Sequence, residues 1–355
     1  MNPRTAIHYL NNCVFRTMNE QSPLVSICIP TYNRAGMVSK AIDSALAQTY
    51  MNVEVLVVDN ASSDTIESLV SAYSDPRVKF HRNAHNLGMF GNFNRCIELA
   101  KGEYVHILHS DDYIDAEFTE TCVVFLETHP DVGMTFGTAL SVPSAGDTKK
   151  PSPAQPVIYD IPEGFKKILE VRSFISCPTV TVRREVYDSV GYYPLEYPYS
   201  GDFYQWLRIA QHFRIAYLPK ALLYYRTGAH SESFQLLFRT PAGYIDTLKI
   251  FIRIIGELGD NRTRYQRELN LAYRRHMRDC LFAGIARSEL MTDYSDMLFI
   301  GLALSTWALI RPRSIKDRIQ KAGNFFLIGA IACAIVIPGG KYLVRKVFRF
   351  DTTGY

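Results

Sequence analysis

The feature that most constrains this chain is the alternation, early in the sequence, of short β-branched apolar runs with segments whose apolar residues fall at helical spacing. Leu24 to Ile29 reads as a strand ending at Pro30, and Met37 to Ala47 follows with a helical pattern. Val53 to Val58 is a second buried run. A helix through Ile66 to Tyr73, a short strand Val78 to His81, a helix Asn92 to Ala100 and a strand Tyr104 to Leu108 continue the series. Such β-α-β-α alternation predicts an α/β fold, with a mostly parallel sheet covered by helices on both faces. Ligands of such sheets lie beyond the carboxyl ends of the strands.

Those ends are polar. The first strand is followed by Thr31, Tyr32, Asn33 and Arg34, the second by Asp59, Asn60, Ser62, Ser63 and Asp64, and the fourth by Ser110, Asp111 and Asp112. Any one cluster reads equally well as a turn or a helix cap. Three clusters on one edge of one sheet share a crevice, which points to a site.

Composition removes several alternatives. At 355 residues the chain exceeds one compact core, so a main domain plus an appendage is expected. A net charge of +4 spread in short clusters does not suit a nucleic-acid binder. The seven cysteines show no C-x-x-C spacing and read as reduced core residues of a cytosolic protein. Met1 to Gln21 lacks the apolar run of a secretory signal, so export is not expected. No G-x-G-x-x-G follows the first strand, against a nicotinamide-dependent oxidoreductase, and no Gly-rich phosphate loop with a basic residue supports a nucleotidyltransferase. The proline-rich stretch Ser141 to Gly164 reads as a loop within a domain.

Three segments, "VSICIPTYNR", "VEVLVVDNASSD" and "NLGMFGNFNRCIELAKGEYVHILHSDD", together resemble the GT-A fold of the family 2 glycosyltransferases. The resemblance runs from Val25 to Asp115 and, more loosely, through "SGDFYQWLRIA" to about Ser233. It implies a Rossmann-like sheet, a nucleotide-sugar donor, UDP-linked, and inverting transfer of a hexosyl or N-acetylhexosaminyl group to a hydroxyl of a lipid-linked or growing surface glycan. It also implies Mn²⁺ or Mg²⁺, because a diphosphate leaves readily once its charge is neutralised by a cation held on carboxylates.

By that resemblance Thr31, Asn33, Arg34 and Asp59 line the nucleoside pocket, and Asn86, Gly88, Asn92, Ser110 and Asp111 border the donor. Gly88 fits a tight backbone path near the ligand, and Asn92 either caps the following helix or reaches the nucleotide. Asp64 reads as an N-cap for the next helix. Asp111 and Asp112 are the metal carboxylates, the sequence leaving open which of them binds the ion, and His230, four residues after Arg226, is a third candidate ligand. Asp202 is the candidate general base, at the start of the amphipathic segment Phe203 to Ala210, with capping of that helix as its plain alternative. The chain departs from the family at three places: His109 and Gly201 stand where acids are usual, and Asn60-Ala61 replaces the commoner Asp-Gly. A histidine at 109 can stack, donate to a phosphate or fill space.

Beyond about Pro241 helical patterns take over, with Ile245 to Leu258 amphipathic and Arg262 to Arg278 rich in basic residues. The expected division is a tail over 1–22, a glycosyltransferase domain over 23–240 with halves 23–115 and 116–240, and a helical extension over 241–355. In the extension, the apolar segments Met297 to Ile310 and Ala322 to Gly340 alternate with arginines and lysines, as an interfacial attachment to an anionic cytoplasmic leaflet requires. A buried helical bundle or a dimer contact is the alternative, and the sequence leaves the oligomeric state open. Location at the inner face of the plasma membrane follows from the first reading. A catalytically silent, membrane-bound subunit of a glycan assembly complex is the competing function, made conceivable by His109 and Gly201 and opposed by Asp111, Asp112 and Asp202.

Overall fold

The computed structural model describes residues 22–142, 155–171, 174–226 and 242–286. The expected alternation is present: β1 (Val25–Thr31), α1 (Ala35–Leu46), β2 (Val53–Asp59), α2 (Ile66–Ser71), β3 (Val78–Arg82), α3 (Met89–Leu99) and β4 (Tyr104–Ile107). β1 pairs in parallel with β2 on one side and β4 on the other, and β2 pairs in parallel with β3. Every residue of β1 and β2 is buried, which is why both read as largely apolar runs; the polar exceptions Ser26 and Glu54 hydrogen-bond each other at 2.6 Å.

Pro30 does not end β1. The strand runs to Thr31, because Leu108 N–H donates to the Cys28 carbonyl, so the even-numbered residues of β1 face β4. The last β4 partner is Ile107, opposite Cys28, and the nitrogen of Pro30 lies beyond it, where no ladder bond is lost.

The second half adds β5 (Tyr113–Ile114), α4 (Phe118–Thr128), β6 (Val132–Val142), β7 (Val157–Tyr159), α5 (Glu163–Glu170), β8 (Val180–Arg183), α6 (Arg184–Val190), α7 (Gly201–His212) and β9 (Arg214–Arg226). One nine-stranded sheet results, ordered β3-β2-β1-β4-β8-β6-β9-β5, with β7 paired to β9. Antiparallel pairs enter at β4–β8, β6–β8, β5–β9 and β7–β9, while β6–β9 is parallel. The proline-rich stretch is thus not loop throughout, since β7 and the start of α5 lie in it.

One core face packs α1 and α4 on the sheet through Val38, Ile42, Phe118, Cys122 and Leu126. Fully burying side chains of this size stabilises by ~1.5–3 kcal/mol each. Cys28, Cys96 and Cys122 are free and buried, and Cys177 is free and partly buried.

The chain divides into two compact units, 1–235 and 236–355. In the second, α8 (Ala242–Leu258) is followed by a 3₁₀ segment over Gly259–Tyr265 and by α9 (Gln266–Ala286), with Leu248, Phe251, Ile254, Leu269 and Tyr273 buried. No helix among the described residues is long and apolar enough to cross a membrane. The apolar segments 297–310 and 322–340 lie outside the described residues.

Candidate active site

The carboxyl ends of β1, β2 and β4 converge on a cleft of about 290 Å³. Pro30, Thr31, Tyr32 and Arg34 line it from β1, Asn60 from β2, and His109, Ser110 and Asp111 from β4. Asn86, Gly88, Met89, Asn92 and Phe93 complete it from the start of α3, and Tyr225 from the end of β9. Of the expected donor residues, Thr31, Arg34, Asn86, Gly88, Asn92, Ser110 and Asp111 are brought together here.

Asn33 and Asp59 are not in the lining. Asn33 adopts a left-handed backbone with φ +52°; its side-chain oxygen accepts from the Ser63 amide at 2.8 Å, and its own amide donates to Ser62 Oγ at 2.8 Å. Asp59 is fully buried, accepting from the amide and hydroxyl of Ser62, with Arg82 at 3.3 Å. Both residues knit the loops after β1 and β2 into a wall behind the cleft. Asp64 serves the same wall: it accepts from the Ala35 amide at 2.8 Å and so caps α1, with only a 3.4 Å contact to Ile66 in the helix that follows it.

Asn60 is the residue whose role the sequence concealed. It is buried, donates to Asn86 Oδ1 at 2.8 Å and to the Gly88 carbonyl at 3.2 Å, and accepts from Asn83 Nδ2 at 3.1 Å and the Leu87 amide at 2.9 Å. These four bonds pin the 83–88 segment against β2. Gly88, with φ +75°, turns the chain into α3, which therefore begins at Met89 rather than at Asn92. Asn92 is not a cap: its amide donates to the Val58 carbonyl at 3.0 Å and its oxygen accepts from Asn83 at 2.8 Å.

At the β4 end, Arg34 forms an ion pair with Asp111, both side chains partly exposed in the cleft. Asp112 lies deeper, 1 % exposed. Its Oδ1 accepts from the Arg226 amide at 3.0 Å, while Oδ2 has no hydrogen-bond partner among the described residues and stands 3.9 Å from His109 Nδ1. Burial, then the charge of Asp111, raise the Asp112 carboxyl to about 8. The His109 ring packs against Phe93 at 5.6 Å, and its buried Nε2 also lacks a partner. Ligand atoms of His109, Asp111 and Asp112 lie within 4.8 Å of one another. An orphaned buried carboxylate oxygen facing an imidazole nitrogen, with a second carboxylate beside them, fits a divalent cation. His230 lies outside the described residues.

Asp202 sits in the first turn of α7, its Oδ1 accepting from the Phe203 amide at 2.8 Å, and Ser200 holds the cap position. It does not line the cleft. The Cys177 thiol, pushed well up by burial, is raised further by Asp202 and by Asp112, which brings both acids to one neighbourhood. The absent acid at 201 has a steric cause. A Cβ there would approach the Phe90 ring to 2.8 Å. Phe90 is fixed by stacking on Tyr193 at 5.4 Å and by an edge contact with Phe93 at 5.5 Å, and Tyr193 meets Trp206 of α7 edge-on at 5.9 Å. Asn94 and the Tyr193 backbone exchange two 2.9 Å hydrogen bonds, so α3 and the segment leading to α7 are clamped together.

A parallel half joined to a mixed half, with a cleft at the strand ends and an acidic pair on its floor, is the GT-A class of fold. The profile of Glycosyl transferase family 2 matches residues 26–191. The UDP-Glc:alpha-D-GlcNAc-diphosphoundecaprenol beta-1,3-glucosyltransferase WfgD of Escherichia coli is 30% identical over 188 residues, 52% of this chain and 69% of that protein. The chain belongs to glycosyltransferase family 2. It spans only 37% and 29% of two further relatives, to which it is 33% and 46% identical. Among solved structures, S. aureus TarS 1–349 in complex with UDP-GlcNAc superposes with a TM-score of 0.64 at 20% identity, over 81% of each chain. The mannosyltransferase PcManGT from Pyrobaculum calidifontis, in complex with GDP-Man and Mn2+, gives 0.55 at 16% identity over 98% of this chain and 95% of that one. Both likenesses concern the fold.

Proposed function

We propose that this chain is an inverting, metal-dependent glycosyltransferase that moves a sugar from a UDP-linked donor to a hydroxyl of a lipid-linked or growing glycan. The observation that carries this reading is the convergence of Thr31, Arg34, Asn60, Asn86 and Asp111 from separate strand ends on one cleft, with Asp112 beneath. The sugar nucleotides bound by TarS and PcManGT and the diphosphoundecaprenol-linked acceptor named for WfgD support it.

In this reading the uridine lies between the β1 and β2 ends and the 86–93 segment, with Tyr32 offering a stacking face, and the diphosphate points toward Arg34, Ser110 and Asp111. Asp111 and Asp112 hold Mn²⁺ or Mg²⁺, which supplies charge neutralisation of the leaving diphosphate. Arg34 exchanges its Asp111 partner for phosphate oxygen. Asp202, on the acceptor side, takes the proton of the attacking hydroxyl. The domain over 23–240 carries the chemistry, and the helical extension over 241–355 attaches it to the cytoplasmic face of the membrane, where a lipid-linked acceptor resides.

The test is a panel of nucleotide sugars with Mn²⁺ or Mg²⁺, scored for transfer, using wild type and Asp202→Asn. Asp202→Asn is expected to lose at least ~10²-fold in transfer, the lower range for a general base, with UDP binding unchanged. Full activity in the variant would remove Asp202 from the reaction, and no transfer or hydrolysis from any donor would remove the enzyme reading.

A further inference from the structure

We infer that His109 is a direct nitrogen ligand of the divalent cation and that His109 and Asp112, rather than the two aspartates alone, anchor it. The inference rests on the metal-dependent reading above.

The three acidic or imidazole groups at the β4 end are not equivalent. Asp111 already has a cationic partner in Arg34. Among the described residues the other two have no such partner: Oδ2 of Asp112, on a side chain buried to 1 % exposure, is unsatisfied, and the His109 nitrogen that faces it is Nδ1. A buried polar atom with no partner is costly, and native proteins keep few of them. The two side chains do not satisfy each other, since 3.9 Å from His109 Nδ1 to Asp112 Oδ2 is beyond hydrogen-bond reach. A cation between them, on Asp112 Oδ2 and His109 Nδ1, would take both as ligands. The spread of up to 4.8 Å among the three ligand atoms slightly exceeds the ~4.2 Å between opposite ligands of an ion with ~2.1 Å bonds, so a small closure suffices.

The ring is also held. Phe93 packs against it, and Phe93 is in turn wedged between Phe90 and Tyr193, so the imidazole is presented to the site from a rigid aromatic cluster. An acid at this position would place a third carboxylate beside Asp111 and Asp112, whereas a neutral imidazole contributes a lone pair without that repulsion. The expected consequence is metal selectivity. Nitrogen donors suit transition metals, while Mg²⁺ favours oxygen, so the site should prefer Mn²⁺ over Mg²⁺.

The experiment is pulsed electron paramagnetic resonance of Mn²⁺ bound to the full chain, alone and with UDP, reading ¹⁴N modulation from a coordinated imidazole. Wild type and His230→Phe are expected to show the ¹⁴N signal. His109→Phe, which keeps an aromatic ring against Phe93, should lose the signal and at least tenfold in Mn²⁺ affinity. His109→Asp, an oxygen donor, should keep binding while shifting the Mg²⁺ to Mn²⁺ affinity ratio at least tenfold toward Mg²⁺. Persistence of the ¹⁴N signal in His109→Phe, or its loss in His230→Phe alone, overturns the assignment. An unchanged ion ratio in His109→Asp overturns the selectivity. If wild type binds no Mn²⁺ with or without UDP, the metal-dependent reading fails and takes this one with it.

Discussion

Asp112→Asn separates stability from function at one atom. Asparagine keeps an oxygen for the Arg226 amide, 3.0 Å away in the structure, and removes the charge. In the ligand-free fold the carboxyl titrates at about 8 instead of 3.8, through burial first and Asp111 second. Between those two values the unfolded chain has released a proton that the folded chain still holds. Wild-type stability therefore falls as pH rises from about 4 to about 8 and is level above that. At ~1.4 kcal/mol per unit the shift corresponds to roughly 6 kcal/mol; water penetration and relaxation around a buried charge bring the expected cost to about 2–4 kcal/mol. With EDTA present, Asp112→Asn should be more stable than wild type by that amount at pH 9, and by no more than about 1–2 kcal/mol at pH 5. Urea unfolding of the full chain at the two pH values, followed by fluorescence of the buried Trp206, measures the difference. A gap that is equal at both pH values, or an asparagine variant less stable at pH 9, would refute the placement of Asp112 as an unpaired buried acid. Under the proposed function the same variant loses its cation, so stability and metal affinity move in opposite directions.

Asn60→Ala removes four hydrogen bonds that hold the 83–88 segment and leaves Asn83 partly unsatisfied; a loss of ~2–4 kcal/mol is expected from the cost of stranded buried polar groups, with weaker UDP binding in a calorimetric titration. Asn60→Asp, which turns a donor into an acceptor against Asn86 Oδ1 and the Gly88 carbonyl, should be no better tolerated. Gly201→Ala drives a methyl group into the Phe90 ring and should cost ~1–3 kcal/mol by overpacking, with Phe90→Leu recovering most of it in the double variant; additive losses in thermal melts would show that the two positions do not touch.

The parallel half of the sheet was legible because β1, β2 and β4 are buried on both faces and so appear as largely apolar runs, broken only by Ser26, Glu54 and His106, each closed by polar residues that the fold gathers at one edge. What misled was side-chain direction. Asn92 looks like a helix cap, yet it points inward to the Val58 carbonyl, and α3 instead starts at a glycine whose positive φ no pattern announces. Asn33 and Asp59 have the chemistry of ligand-binding residues and spend it on the neighbouring loop through Ser62 and Ser63. Asn60 registered only as a substitution, because its partners lie in a segment joined to it by the turn of the sheet rather than by sequence proximity. Tyr225 reaches the cleft from β9, which no local signal links to β1. The same holds for Phe90 and Gly201, whose contact depends on how α3 meets α7.

That last contact sets an order on change in this lineage. A ring at 90 and a side chain at 201 compete for one space in this backbone, so an acid at 201 is expected to be tolerated only once the residue at 90 is smaller. The two positions are expected to vary as a unit, and related chains should sort into those with a bulky residue at 90 and glycine at 201 and those with a small residue at 90 and an acid at 201.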